Sequence, residues 1–281
     1  MLAEDLLIRT LLGFRFVDAA TEQPVTSGLA VSAAPAAARQ PLVQAHRTRS
    51  GHYAFHHLPG LHALAYPADT AGPPESASGT AFLVRVVDRQ GRFLPAVRRV
   101  TVPVLPSPPA SPPAASPLLD FYLLSAPTRP VPPGLAVIYT RVVDVATDAP
   151  VPHALLELEV DGEAVYGQAD RAGDVALLFP YPAVVAPLSG SPPSGRRALF
   201  EQAWDLTLRV YARPGALTFP LDPDVPELSG VFAQAPALLH GHPRASPPEP
   251  PAATRTVTLT FGTPAVLRTA GEARLFIEPS P

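Results

Sequence analysis

The chain has no cysteine, no lysine and no asparagine, and charged residues make up only 16% of its 281. Each absence closes a line of chemistry. Without cysteine there is no disulfide framework, no thiolate nucleophile and no Cys-ligated zinc. Without lysine there is no Schiff base and no P-loop lysine. Lacking both Lys and Asn, the chain cannot form the Lys–Asn isopeptide clamp found in some surface β-domains. All 21 basic residues are arginine and the net charge is −3, so the basic stripe of a nucleic-acid binder is missing. No apolar run approaches the about 20 residues of a membrane span. The opening MLAEDLLIRTLLGFRF is apolar, but Glu4 and Asp5 sit where an export signal is positive, and no small-residue cleavage site follows. The expectation is a soluble protein made in the cytoplasm without a signal peptide, with no nucleic acid and no membrane insertion.

What is abundant is proline, 39 residues, within a composition that is 47% hydrophobic. Proline lacks an N–H and fixes φ, so it is excluded from helix interiors and central strands. This argues for short strands joined by stiff loops. The strongest pattern is self-similarity. Residues 15–25 read RFVDAATEQPV and residues 141–151 read RVVDVATDAPV, with seven of eleven positions identical. The physical reading is strand, turn, strand, with Asp and Thr bonding back to the turn backbone. The copies keep step through RSGHYAF (49–55) and RAGDVAL (171–177), then FLVRVVD (82–88) and LTLRVYA (206–212). A last strand closes each copy, DFYLLS (120–125) and RTVTLTF (255–261). Loops rich in Pro, Gly and Ser fall at 67–80 and 182–195, and proline-rich stretches at 106–117 and 243–252.

The chain therefore reads as all-β: two tandem antiparallel β-sandwich modules of transthyretin- or immunoglobulin-like kind with Pro-rich loops. The first module with an N-terminal extension spans 1–127, a Pro-rich linker 128–134, and the second module 135–281, which includes an insertion at 222–239 and a C-terminal hairpin. A proline-rich linker is a semi-rigid spacer, which predicts a fixed separation.

The motif VVDVATDAPVPHALLELEV followed by QADRAGDVALLFPYP resembles the carboxypeptidase regulatory-like domains, which are small transthyretin-like β-sandwiches. That resemblance covers about a third of each module and implies a fold and an accessory role, not an activity. The longer layout of RSGHYAFHHLPGL, VVDRQGRFLP, SAPTRPVPPGLAV and ALLFPYP resembles uncharacterised proteins associated with phage-tail-like contractile injection particles. It transfers no catalytic residues.

Candidate chemistry is thin. His-Glu-x-x-His is absent, and so is Gly-x-Ser-x-Gly. HYAFHHLPGLH (52–62) holds four of the eight histidines. Strand geometry separates His52 from His56 by ~13 Å, whereas each nitrogen must lie about 2 Å from a shared zinc. The repeat places Asp174, Leu178 and Phe179 opposite His52, His56 and His57. Tyr53 and Phe55 are the expected core residues of that strand. His240 and His242 could share a face, but no carboxylate lies close in sequence and a loop is expected. Glu157 and Glu159 read as a solvated strand face, and Trp204 as packing at a sandwich end. No catalytic residue, metal ligand or cofactor site is assigned.

Two segments exceed what a sandwich needs. In 222–239, Asp224 and Glu227 have capping-box spacing and Leu228, Val231 and Phe232 form an apolar edge. This predicts a short helix that covers a module's open end or docks a partner. The tail 266–281 reads as a hairpin beyond the repeat, with Leu275, Phe276 and Ile277 on its second strand. These six residues are the expected contacts of a non-enzymatic structural or adaptor protein. Its partners would be protein subunits of a larger assembly, further copies of itself among them, with a phage-tail-like particle as the setting. A carbohydrate- or peptide-binding adhesion module is the alternative.

Overall fold

The computed structural model describes residues 10, 12–37, 41–61, 79–102, 118–183, 202–244, 247 and 249–281. Most of LLIRTLL, His62 and most of the Pro-, Gly- and Ser-rich loops lie outside the described residues. The first half contains β1 (Leu12–Asp18), β2 (Leu29–Pro35), β3 (Val43–Gln44), β4 (His46–Arg47), β5 (Tyr53–Phe55), β6 (Thr80–Asp88), β7 (Ala96–Val102) and β8 (Leu118–Leu123). The second contains β9 (Leu135–Asp144), β10 (Leu155–Val160), β11 (Glu163–Gln168), β12 (Asp174–Pro180), β13 (Ala203–Tyr211), α1 (Leu228–Phe232), β14 (Leu238–His240), β15 (Arg255–Thr260), β16 (Ala265–Val266) and β17 (Arg274–Glu278).

Each half is a sandwich of two sheets. In the first, β4-β5-β1-β8 faces β3-β2-β6-β7; in the second, β12-β9-β17-β14 (with β16 on β9) faces β11-β10-β13-β15. Inward side chains of both sheets fill one core per sandwich. Phe14, Phe16, Phe55, Phe82 and Phe121 dominate the first, and Ile138, Leu156, Leu158, Leu177 and Phe179 the second. Period-2 alternation sorts these residues inward. Tyr53 and Phe55 belong to the first core as the sequence predicts.

The duplication is visible in local geometry. Asp18 and Asp144 each accept the N–H two residues on, from Ala20 at 2.9 Å and Ala146 at 2.8 Å. Glu22 and Asp148, at matching positions, share a left-handed φ of 57° and 56°. The polar turns before β5 and β12 both place glycine at positive φ, Gly51 at 84° and Gly173 at 80°, a conformation that costs glycine little.

The closing strand differs from expectation. β8 pairs parallel with β1, and its counterpart is β17, which pairs parallel with β9. Residues 255–260 form β15, which pairs antiparallel with β13 as β7 pairs with β6. The expected tight turn at Ala270-Gly271 forms, but the strand after it, β17, is the last strand of the second sandwich rather than part of a hairpin beyond the repeat. The two proline-rich stretches are not equivalent: 106–117 precedes β8, whereas 243–252 precedes β15. Sequence alternation alone could not separate these assignments, because β15 and β17 both carry it. Other strands were also missed, β7 and β11 the longest of them: β11 follows β10 through Asp161-Gly162, both at positive φ, the Asp-Gly signature of a two-residue hairpin.

The modules pack directly on each other. Ala20 in the turn after β1 lies with Val137, Ala176 and Leu178 on the outer face of β9 and β12. The linker is a docked strap rather than a spacer. Its Arg129 is buried, donating to both carboxylate oxygens of Asp18 at 2.9 and 2.6 Å and to Ser125 Oγ at 2.8 Å. The first part of the 222–239 insertion, up to α1, leaves its own sandwich and lies along the first, and its end returns as β14. Val225 packs with Leu83 and Val97; Asp222 pairs with Arg85 at 2.8 Å and Glu227 with Arg99 at 3.3 Å.

Candidate functional site

Between the modules lies a cleft of about 910 Å³, within the range of ligand-binding clefts. The turn 19–22, β7 and β8 form one wall; the β10–β11 hairpin and the end of β12 form the other, and α1 borders both. Of the aromatics exposed among the described residues, Tyr122, Phe219 and Phe232, two line this cleft: Tyr122 at 57% and Phe232 at 48% exposure. The Phe232 ring meets Tyr166 edge-on at 5.4 Å between centroids. In a chain with so few aromatics, their exposure at one place marks a contact surface.

The hairpin wall carries a polar cluster. Glu157 accepts from Arg209 at 2.9 Å and from the Tyr211 hydroxyl at 3.1 Å. Burial, and then the Glu157 charge beside them, raises the Tyr166 and Tyr211 hydroxyls above the ordinary tyrosine range. Glu157 is therefore a bonded group rather than a freely solvated one, although it does lie on the sheet's outer face. Burial also holds His153, close to the junction, below the ordinary imidazole pKa.

Six residues were expected to make partner contacts. Phe232 alone presents an exposed side chain. Leu228 packs against the first module's core, and Val231 is fully buried with Leu124 and Leu155 between the modules. Leu275, Phe276 and Ile277 are 0%, 2% and 0% exposed, which corrects their assignment: Leu275 and Ile277 point into the sandwich core, and Phe276, on the other face of the closing strand, packs against the His242 ring. The capping box does not form. The N-cap Glu227 makes no side-chain cap bond, and Asp224 instead binds Arg171 at 2.9 Å. The insertion does cover an open flank, but that of the neighbouring module.

The histidines do not converge. His46 and His56 stack at 5.4 Å, and His52 Nδ1 lies 3.2 Å from the Ser50 hydroxyl. Tertiary structure supplies carboxylates that sequence proximity did not: His240 meets Glu278 at 3.2 Å and His242 meets Glu272 at 3.1 Å. Each imidazole has its own partner, and among the described residues no group of three or more His, Asp or Glu is placed to hold a metal. Trp204 packs on the second core and donates to the Ala183 carbonyl at 3.3 Å. Among the described residues no helix is long and apolar enough to cross a membrane.

No protein-family model matches the chain, and no curated protein does. Solved structures similar to it include the following three. The major pilin subunit BcpA of Bacillus cereus aligns at 9% identity over 68% of this chain and 36% of that one, with a TM-score of 0.21. The Bacillus anthracis TIE protein aligns at 10% over 90% and 44%, TM-score 0.24. The shaft pilin SpaA of Lactobacillus rhamnosus GG aligns at 8% over 96% and 97%, TM-score 0.24. The chain thus spans less than half of the first two. Likeness at this level carries no inference, and the β-sandwich assignment stands on the strand pairing described above.

Proposed function

We propose that the protein is a non-enzymatic structural or adaptor subunit that works through protein contacts in a larger assembly. The observation that carries this reading is the cleft: two sandwiches are packed together by a cross-module clasp, the strap between them is pinned to the first by a buried ion pair, and the scarce aromatics stand exposed where the two meet. The repeated Val-x-Asp-x-x-Thr-x-x-Pro-Val turn supports modules of the carboxypeptidase regulatory-like kind. The order of the longer motifs supports a phage-tail-like contractile particle as the assembly, joined in the cytoplasm where the chain is made. Native mass spectrometry of particle fractions tests this. Co-sedimentation with sheath, tube or baseplate subunits is the expected result; a chain that always runs as a free monomer overturns it. A second reading, glycan binding, draws on the same exposed Tyr122 and Phe232, since sugar rings stack on aromatic faces; titration with a maltooligosaccharide checks it.

A further inference from the structure

We propose that the cleft takes an extended strand of a partner protein, which adds to the free edge of β11. The inference rests on the assembly reading above and names the surface and the chemistry of the contact. The Asp161-Gly162 turn makes Val160 and Glu163 the first hydrogen-bonded pair of the hairpin. Antiparallel pairing then alternates, and the Ala169 N–H to Ala154 carbonyl bond at 2.8 Å fixes the phase at the other end. Ala164 and Tyr166 therefore turn their N–H and C=O groups away from β10. Both residues line the cleft, and among the described residues nothing hydrogen-bonds these backbone groups.

Exposed edges are normally blunted by short length, proline, cations or cover. Of the other edges, β15 is, like β11, six residues long and starts on Arg255, which donates to the Arg268 carbonyl of the tail at 2.6 Å; the rest show such devices. β3, β4 and β14 are two or three residues long, and β12 ends on Pro180. β7 carries Arg98 and Arg99 and bridges to Glu227 of the insertion. On β8 the Asp120 carbonyl is taken by Arg98 at 2.6 Å. β11, six residues reading EAVYGQ, carries no proline or cation, and only its Gly167 and Gln168 are buried, which leaves Glu163–Tyr166 open.

The surroundings specify the guest. Tyr122 and Phe232 offer apolar surface for alternate side chains of an added strand. Glu22, Asp161 and Glu163 line the cleft without an ion-pair partner among the described residues; of its two cations, Arg99 is paired with Glu227 and Arg98 donates to the Asp120 carbonyl, so the free charge is mainly negative. The complementary strand is apolar at alternate positions and carries arginine or lysine at its ends.

The test uses the full chain and a fluorescent synthetic peptide, Arg-Val-Thr-Val-Thr-Val-Arg, followed by anisotropy. Saturable, salt-sensitive binding is expected, with amide NMR shifts concentrated at Ala164 and Tyr166. Ala164→Pro removes an outward N–H and leaves the β10 ladder intact. It should weaken binding about tenfold, the scale of one lost strand hydrogen bond. Phe232→Ala and Glu163→Arg should weaken it as well, and they decide the matter if the proline variant does not fold. A folded Ala164→Pro chain that binds like the parent overturns the proposal. So does self-association abolished by Ala164→Pro, which would make the occupant a second copy, or competition by a maltooligosaccharide, which would make it a glycan. Failure here leaves co-sedimentation with particles untouched, whereas a parent that binds peptide but never joins particles refutes only the assembly reading.

Discussion

Replacing Arg129 with methionine keeps an unbranched chain in the slot and removes the guanidinium. In the parent, that group holds both oxygens of Asp18, reaches the Ser125 hydroxyl and lies 4.8 Å from the centre of the Phe93 ring. Asp18 is 4% exposed, so the variant leaves a buried carboxylate with only the Ala20 N–H and the Thr21 hydroxyl as donors. Removing one partner of a buried pair costs about 3–5 kcal/mol, a fall in melting temperature on the order of 10 °C for modules of this size. The pH dependence has a definite sign. Burial pushes the Asp18 pKa up, but bonds from Arg129, Ala20 and Thr21 outweigh it and hold the value below the ordinary carboxylate range. A depressed carboxylate contributes stability above about pH 4 that is lost as pH falls through its folded value. Without Arg129 burial dominates and the carboxyl protonates more readily, so the gap between variant and parent narrows from pH 7 to pH 4. Asp18→Asn should destabilise the parent and yet partly rescue Arg129→Met. Urea unfolding followed by circular dichroism at both pH values measures all four chains. An Arg129→Met chain within about 1 kcal/mol of the parent, or no rescue by Asp18→Asn, would refute the reasoning.

Leu275→Ala should cost about 2–5 kcal/mol because it opens a cavity in the second core, whereas Phe232→Ala should stay within about 0.5 kcal/mol; thermal melts of the pair separate interior from surface. Because burial lowers the His153 pKa in the fold, the unfolded chain takes up the proton first, and stability falls as pH drops below about 6.5; His153→Gln should flatten that limb in pH-resolved melts. Gly162→Ala forces a Cβ into φ of 85° and should cost about 1 kcal/mol, measured by urea unfolding.

Much of the architecture was legible in the residues. The repeated Asp-x-x-Thr turn, the glycine turns into β5 and β12 and the alternation of β1, β2, β6, β9, β10 and β13 depend on neighbours in sequence, and local patterns record them. The closing strand was assigned wrongly because its parallel partner β9 is remote in sequence, and the Ala270-Gly271 turn before it points to a local hairpin instead. The candidate site was less legible. Leu228, Val231 and Phe232 were found as an apolar edge, but which of them face solvent depends on a surface of the other module. Glu278 and Glu272 reach His240 and His242 across distances in sequence that spacing rules do not span.

Asp18 and Asp144 draw the division most sharply. The sequence by itself determined that both close the same turn, with the same side-chain bond to the backbone and the same left-handed residue four positions on. Those contacts lie within one short segment, where residue type and steric limits suffice. Only the tertiary structure decided that Asp18 would be buried beneath Arg129, while Asp144 keeps its place at a more open turn. Burial is set by what packs over a residue, and here that cover is the returning strap, from more than a hundred residues along the chain.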